Sequence, residues 1–407
     1  MHNRPVLLAH VGAAGGREQS HLPRAPRVGG SLFRMGFACA LCLLAACSRF
    51  QPPADLPPVT RVASLKTPTP SPVLPTPTLT PSAPATAQAT DTPRDPPPTP
   101  TATLPPIVRL MAVGDVMLAR TVGEVILRDG AAAPFSGVAS TLNAADLLVG
   151  NLECAIAERG EPQPKRYTFR APPQAAEALA LAGFDVVGLA NNHSLDYGPE
   201  ALADTLALLA EQQIAAAGAG QNAAAARTPV VVERNGVRVA FLAYVDVPVE
   251  SRTGFDTRSW IADEAAPGVV WAEVEHISAD VLAARSRADL VIVLLHSGWE
   301  SHDIIRAQRV EARAAIDAGA ALVLGSHPHV LQGVESYHGG LIVYSLGNFV
   351  FDGFTFPENY SVIFTAVLTR RGVEAYDWIP IIVENGLPRL AAPGEAPEIL
   401  SRLQPLP

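Results

Sequence analysis

The rhythm of hydrophobic and polar positions changes near residue 107. From there on, short apolar runs of strand length alternate with stretches whose leucines and alanines recur at helical spacing, and each run breaks at a polar residue. Residues 107–113 read as a strand ending at Gly114-Asp115-Val116-Met117, and 145–150 as a second ending at Asn151-Leu152-Glu153. A helical stretch at 173–182 leads to a third strand, 185–190, which ends at Asn191-Asn192-His193. The spacing of Leu202, Leu206 and Leu209 predicts a helix over 199–213, with Pro199 suited to its first turn. Residues 229–233 and 237–245 flank Asn235-Gly236, a hairpin signal. The irregular stretch 248–268 is expected to form a surface excursion near the site.

A helix at 271–287 then precedes a buried strand, 289–295, ending at His296-Ser297-Gly298-Trp299-Glu300. The next helix, 305–318, stops at Gly319, and the strand 320–324 runs into Gly325-Ser326-His327-Pro328-His329. On an extended backbone, side chains two apart point the same way, so both imidazoles are expected to enter one space. Residues 334–337 and 341–346 flank Gly339-Gly340, the second run passing into Leu346-Gly347-Asn348-Phe349. Residues 362–368 and 373–383 read as a last hairpin turning at Arg371-Gly372, with a tail at 386–407 packed outside the core.

Strand, helix, strand alternation argues an α/β sheet with helices on its faces, and ligands of such folds gather beyond the carboxyl ends of the strands. Five runs end in residues able to bind metal or move protons: Asp115, Glu153, Asn192 with His193, His296, and His327 with His329. Each has a plain account by itself, Asp115 as a helix cap and Asn192 as a turn residue. Their shared position at strand ends is what points to a metal centre. The other histidines of the globular part, His276, His302 and His338, read as surface residues.

Composition separates this part from what precedes it. Arg24, Arg27 and Arg34 lead into the apolar run 35–46, which closes on Leu44-Ala45-Ala46-Cys47-Ser48. That is a positive region, a short hydrophobic region and a small-residue cleavage site, too short to span a bilayer. A cysteine in that place resembles a bacterial lipoprotein signal, residues 1–46, with Cys47 the lipidated N-terminus; an ordinary secretory signal is the alternative. Residues 47–106 follow as a stalk rich in proline and threonine, a composition that favours extended polyproline II. Five arginines against one glutamate give residues 1–46 a charge of +4, so the whole-chain −9 leaves −13 for the remainder. That balance argues against nucleic acid as a partner. Of the four cysteines, at 39, 42, 47 and 154, Cys154 alone falls in the globular part, so no disulfide framework is available and it reads as a small buried residue. Lys165, Arg166 and Arg170, interleaved with Tyr167 and Phe169, form a local basic cluster able to grip a polyanion or to lie as a solvated loop.

Gly-Asp-x-Met, Asn-Leu-Glu, Asn-Asn-His, His-x-Gly-x-Glu, Gly-Ser-His-Pro-His and Ser-Leu-Gly-Asn-Phe-Val-Phe-Asp occur here in that order. The set resembles the CapA/PgsA-type capsule synthesis proteins, over roughly residues 107–383. The resemblance implies a calcineurin-like metallophosphatase fold for residues 107–385, a four-layer α-β-β-α sandwich with mixed sheets. It implies a role in synthesis or export of a poly-γ-glutamate capsule and a membrane-associated synthase as partner, while the lipoprotein-type signal and the stalk lead to the expectation of an extracytoplasmic place on the cell membrane. It also implies one or two divalent cations (manganese, iron or zinc). Asp115 and His329 would hold the first and Asn192, His296 and His327 the second, with Glu153 bridging and His193 as the acid near the leaving group. Met117 departs from the metallophosphatase pattern, which has histidine there, and thioether is a poor ligand for such cations. Two readings follow: a hydrolase of phosphoester or amide bonds, or a non-enzymatic accessory protein binding polymer or synthase. Glu300 and Asn348 join the basic cluster as candidate substrate contacts.

Overall fold

A computed structural model describes residues 106–249 and 253–406. The expected signal peptide, Cys47 and the stalk before residue 106 lie outside them. Among the described residues no helix is long and apolar enough to cross a membrane.

Two mixed sheets carry the fold. The first runs, in spatial order, Leu387–Leu390, Gly372–Glu384, Tyr360–Thr369, Val108–Val116, Leu147–Leu152, Val186–Gly188 and Ala215–Ala217, with Asn348–Val350 also paired to Val108–Val116. The second runs Val334–Tyr337, Gly340–Val343, Leu322–Ser326, Leu290–Ser297, Val237–Asp246 and Val230–Arg234. In the first, four parallel strands run to one edge and three antiparallel strands complete the other side; in the second, parallel central strands are flanked by an antiparallel strand at each edge.

The period of two in the strands of the second sheet decides how the layers stack. Val237, Val239, Phe241 and Ala243 belong to one apolar cluster with the first sheet's Leu110, Val149 and Val187. Their alternates, Ala240, Leu242 and Tyr244, belong to another, with Ile277 and Val281 of helix Val274–Ala284 and Ala312 and Ile316 of helix Arg306–Asp317. Helices Arg120–Asp129 and Gln174–Ala182 bury Val122, Ile126 and Leu179 against the first sheet. Helix, sheet, sheet, helix is the four-layer α-β-β-α sandwich that the resemblance implies.

Close backbone approach fixes how the strand ends meet. A Cβ on Gly114 would sit 1.8 Å from the carbonyl oxygen of Gly347, the same carbonyl that accepts from the Asp115 amide at 2.9 Å. Glycine is required there because any side chain displaces the strand that presents Asp115. Gly114→Ala is expected to lower unfolding free energy by about 3 kcal/mol, the upper part of the range for overpacking; a denaturation midpoint within error of the parent protein would refute the contact.

Three expectations change. The 373–383 hairpin is not the last element, because Leu387–Leu390 extends the first sheet and helix Ala396–Leu400 follows. Nor does the tail lie outside: Ile399 and Leu403 are buried in the main cluster, and the backbone at Pro405 bridges Val334. Apolar residues spaced four apart in so short a stretch give too little periodicity to see in sequence. The excursion 248–268 is only partly superficial, since the short helix Thr257–Trp260 buries Trp260.

Candidate metal centre

Asp115, Glu153, Asn192, His193, His296, His327 and His329 come together, all buried, where the carboxyl ends of both sheets converge. Asp115 Oδ2 accepts from the His327 amide at 3.2 Å and lies 3.4 Å from His329 Nδ1. Asn192 Oδ1 lies 2.8 Å from His296 Nε2. Glu153 occupies the middle. Its Oε1 is buried without a hydrogen-bond partner, yet the Nε2 atoms of His296 and His329 lie 3.8 Å away and that of His193 lies 3.9 Å away. His327 Nδ1 is likewise buried and unpartnered.

An orphaned carboxylate oxygen ringed by imidazoles at these separations is what a cation's donor set looks like. Ligand atoms about 2.0–2.2 Å from one cation lie roughly 3–4 Å from each other. Two groups of donors each fall within 4.8 Å, Asp115 with Glu153 and His329, and Glu153 with His296 and His327. Glu153 is common to both groups, so the residues fit one or two divalent cations. The mixture of imidazole and oxygen donors suits manganese, iron or zinc. Met117 contributes nothing here: it is fully buried, and its Sδ accepts from the Ala119 amide at 3.2 Å.

Burial and mutual proximity set the protonation of these groups. Burial, then the neighbouring Asp115, push the Glu153 carboxyl well above the usual carboxylate range. Burial opposes ionisation of Asp115 too, but the His329 contact, the electrostatic pull of His296 and the Asn151 hydrogen bond hold it below the usual range. Burial pushes His296 down to about 3 and His327 well below the ordinary imidazole value, leaving both neutral and able to ligate. For His193, burial and then the charge of Lys165 act in the same direction.

Side chains behind the ligands fix their orientation. Asn151 Nδ2 donates to Asp115 Oδ1 at 2.8 Å, and Asn191 Nδ2 donates to Asn151 Oδ1 at 3.1 Å. Ser326 Oγ sits 2.9 Å from His296 Nδ1. Asp196 Oδ2 lies 2.7 Å from His193 Nδ1, while Phe169 stacks on the His193 ring at 4.2 Å. The sequence analysis assigns none of these a role: Asn151, Asn191 and Ser326 lie inside the motifs and Phe169 within the basic cluster, while Asp196 follows His193 by three, which is the one local signal for it.

The histidine pair converges for a different reason from the one expected. His327 and His329 have φ of 94° and 57°, so the backbone is left-handed at both, not extended. Such strain at non-glycine residues persists where the surroundings over-determine it and clusters at functional sites.

Above the centre opens a cleft of about 500 Å³, lined by His193 and His329 below and by Arg120, Arg166, Glu300 and Phe351 among its walls. Arg166 and Glu300 are thus placed where substrate contacts were expected, but Lys165, Arg170 and Asn348 do not line it. The Lys165 side chain is fully buried, its Nζ 2.6 Å from Asp196 Oδ1 and bonded to the Asn192 carbonyl. Arg170 turns outward to the Gly160 carbonyl and the Tyr197 ring. Asn348 lies beneath His329, with its Oδ1 2.8 Å from His329 Nδ1. Asn348→Ala is therefore expected to weaken metal affinity about 10- to 100-fold, as removal of such outer partners does; titration of the metal-stripped protein with Mn²⁺ or Zn²⁺ measures it.

The protein is thus a four-layer α-β-β-α sandwich whose strand ends gather buried carboxylates and imidazoles able to hold a metal. More narrowly, the chain belongs to the family of bacterial capsule synthesis proteins, PGA_cap, which matches residues 109–353. It is 34% identical over 281 residues to the "PGA biosynthesis protein CapA" of Bacillus subtilis (strain 168), covering 68% of this chain and 72% of that one. Over 288 residues it is 34% identical to the "Capsule biosynthesis protein CapA" of Bacillus anthracis, covering 68% of each. Among solved structures, a phosphatase from Mycoplasma pneumoniae aligns at 13% identity with a TM-score of 0.46, covering 69% of this chain and 95% of that one.

Proposed function

We propose that this protein serves capsule synthesis as a hydrolase dependent on divalent metal, working outside the cytoplasm on a lipid anchor at Cys47 beside the capsule synthase. Its substrate in this reading is the capsule polymer, poly-γ-glutamate, or a phosphorylated intermediate of its assembly. The observation that carries the reading is the orphaned Glu153 Oε1 among three imidazole nitrogens, two of which belong to His193 and His329, residues that line an open cleft.

Asp115, Glu153 and His329 would hold one cation, and Glu153, Asn192, His296 and His327 a second. When bound, divalent cations supply Lewis-acid polarisation of a phosphoryl or carbonyl oxygen. His193 handles the proton. With Nδ1 turned to Asp196, Nε2 is the nitrogen that faces the centre and exchanges a proton with the reacting group. Phe169, Phe351 and Phe354 line the cleft and limit water around it.

A second reading, a polymer- or synthase-binding protein without turnover, draws on one observation. Met117 stands where the metallophosphatase pattern has histidine, and its sulfur is turned to the backbone. His193→Ala separates the two. The hydrolase reading expects metal content unchanged and turnover of γ-glutamyl oligomers or phosphoesters reduced about 10²- to 10⁴-fold. Unchanged capsule output in cells carrying the variant would favour the binding reading.

A further inference from the structure

The walls of the cleft contain a cation that neither the centre nor the motifs explain. Arg120 follows Ala119 at the start of its helix with φ of 50°, a left-handed conformation uncommon outside glycine. The strained backbone directs its side chain back over the cleft. There the guanidinium lies 4.7 Å from the Phe169 ring centre and 5.7 Å from that of Phe351. One nitrogen, Nη2, is held by the Asp352 carboxylate and by the Asp352 carbonyl at 2.8 Å. Asp352 is itself fixed, accepting from the Thr121 amide at 3.0 Å.

This arrangement orients the guanidinium while using one edge of it. Nε and Nη1 donate to no described residue, and the side chain is 36% exposed. A guanidinium gripped along one edge and stacked on rings presents the rest of its fork in a fixed direction, which suits bidentate recognition of an oxyanion. Arg166 lines the same cleft, exposed and packed over Tyr167 at 5.1 Å. Phe169 is shared: the ring beneath the guanidinium is the one stacked on His193. An anion bound by Arg120 is thereby placed in register with the group that handles the proton. Glu300, the acidic residue on the opposing loop, disfavours anions at its own side and sharpens the direction of approach.

We propose that Arg120, with Arg166 as its outer partner, is an oxyanion receptor that selects substrates carrying a carboxylate or phosphate beside the bond presented to the centre. The proposal rests on the cleft being the substrate site, as in the reading above. Either chemistry, the α-carboxylates of a γ-glutamyl chain or a phosphoryl group, satisfies the fork, and binding distinguishes them.

The test titrates the purified, metal-loaded full chain with a γ-linked glutamate oligomer and, separately, with inorganic phosphate, for the parent protein, Arg120→Met and Arg166→Met. Metal content is measured on each sample. Loss of one charge-assisted contact corresponds to about 10- to 100-fold in affinity. Arg120→Met is expected to lose that factor and Arg166→Met a smaller one, with metal content unchanged. Weakening confined to the oligomer assigns the carboxylate, weakening confined to phosphate assigns the phosphoryl group, and weakening of both assigns a general receptor. Should Arg120→Met unfold, as circular dichroism would show, Arg120→Lys keeps the charge without the fork and is expected to lose affinity as well. Equal affinity in the folded Arg120 variant, or a parent protein that binds neither probe, overturns the proposal. Because metal content is read independently, that result leaves the metal centre standing, whereas absence of metal from the parent protein sinks the hydrolase reading instead.

Discussion

On the hydrolase reading, Glu153→Gln is expected to abolish metal binding by both donor groups at once, with turnover falling more than ~100-fold, beyond what loss of an outer partner does. No other donor belongs to both groups of ligands. The amide keeps the shape but cannot supply the negative charge that two cations require. Stability should move in opposite directions with and without metal. In the metal-free protein the Glu153 carboxyl is buried with one oxygen unpartnered, a state that costs free energy, so the neutral amide is expected to be as stable as the parent protein or more so. With metal at about 100 times its dissociation constant, the parent protein gains roughly 2.7 kcal/mol that the variant cannot. Thermal unfolding with and without added metal, alongside elemental analysis, reads both effects. A variant that retains two equivalents of metal would contradict the shared-carboxylate arrangement.

Lys165→Met should be the most destabilising substitution away from the metal ligands. The ammonium and Asp196 are both fully buried, 2.6 Å apart, and removing one partner of such a pair typically costs about 3–5 kcal/mol. The effect is expected to depend on pH. Burial pushes the Asp196 carboxyl from 3.8 up to about 7 against the pull of Lys165. A carboxyl raised in the folded state binds its proton more tightly there than in the unfolded chain. Its contribution is therefore fully present below pH 4 and is lost as pH rises through about 7. Near pH 8 the parent protein holds Asp196 ionised against Lys165, whereas the variant, having lost that pull, must either bury an uncompensated charge or keep a proton bound; near pH 5 the carboxyl is protonated in both and the penalty shrinks. Urea denaturation at the two pH values tests this, and an equal penalty at both would mean that the pair is not the origin of the instability.

What sequence could reveal divides along physical lines. Strand ends were legible because an apolar run broken by Gly-Asp or Asn-Asn-His is a local pattern, and the ligands sit at those breaks. The pairing of ligands with cations enters only as an implication of the family resemblance, since spacing alone does not give it. The outer partners were not legible. Asn151 meets Asp115 and Ser326 meets His296 only after strands distant in sequence become neighbours. The basic cluster shows the converse. Lys165, Arg166 and Arg170 look alike in a row, but the fold buries the first against Asp196, opens the second to the cleft and turns the third outward. Arg120 escaped notice because nothing local distinguishes it: its strained backbone and its pairing with Asp352, 232 residues away, exist only in three dimensions.

The ligands are divided between the two sheets, Asp115 closing a strand of one and His296 and His327 belonging to the ends of strands in the other. Across most of their interface the sheets touch only through side chains of the apolar cluster, a contact that resists separation better than it resists sliding. A cation held by these residues would be gripped from both sides, like a rivet through two plates. Its release would lower the resistance to shear, so amide exchange in Val108–Val116 and Leu290–Ser297 should quicken together, even though no backbone hydrogen bond joins those strands.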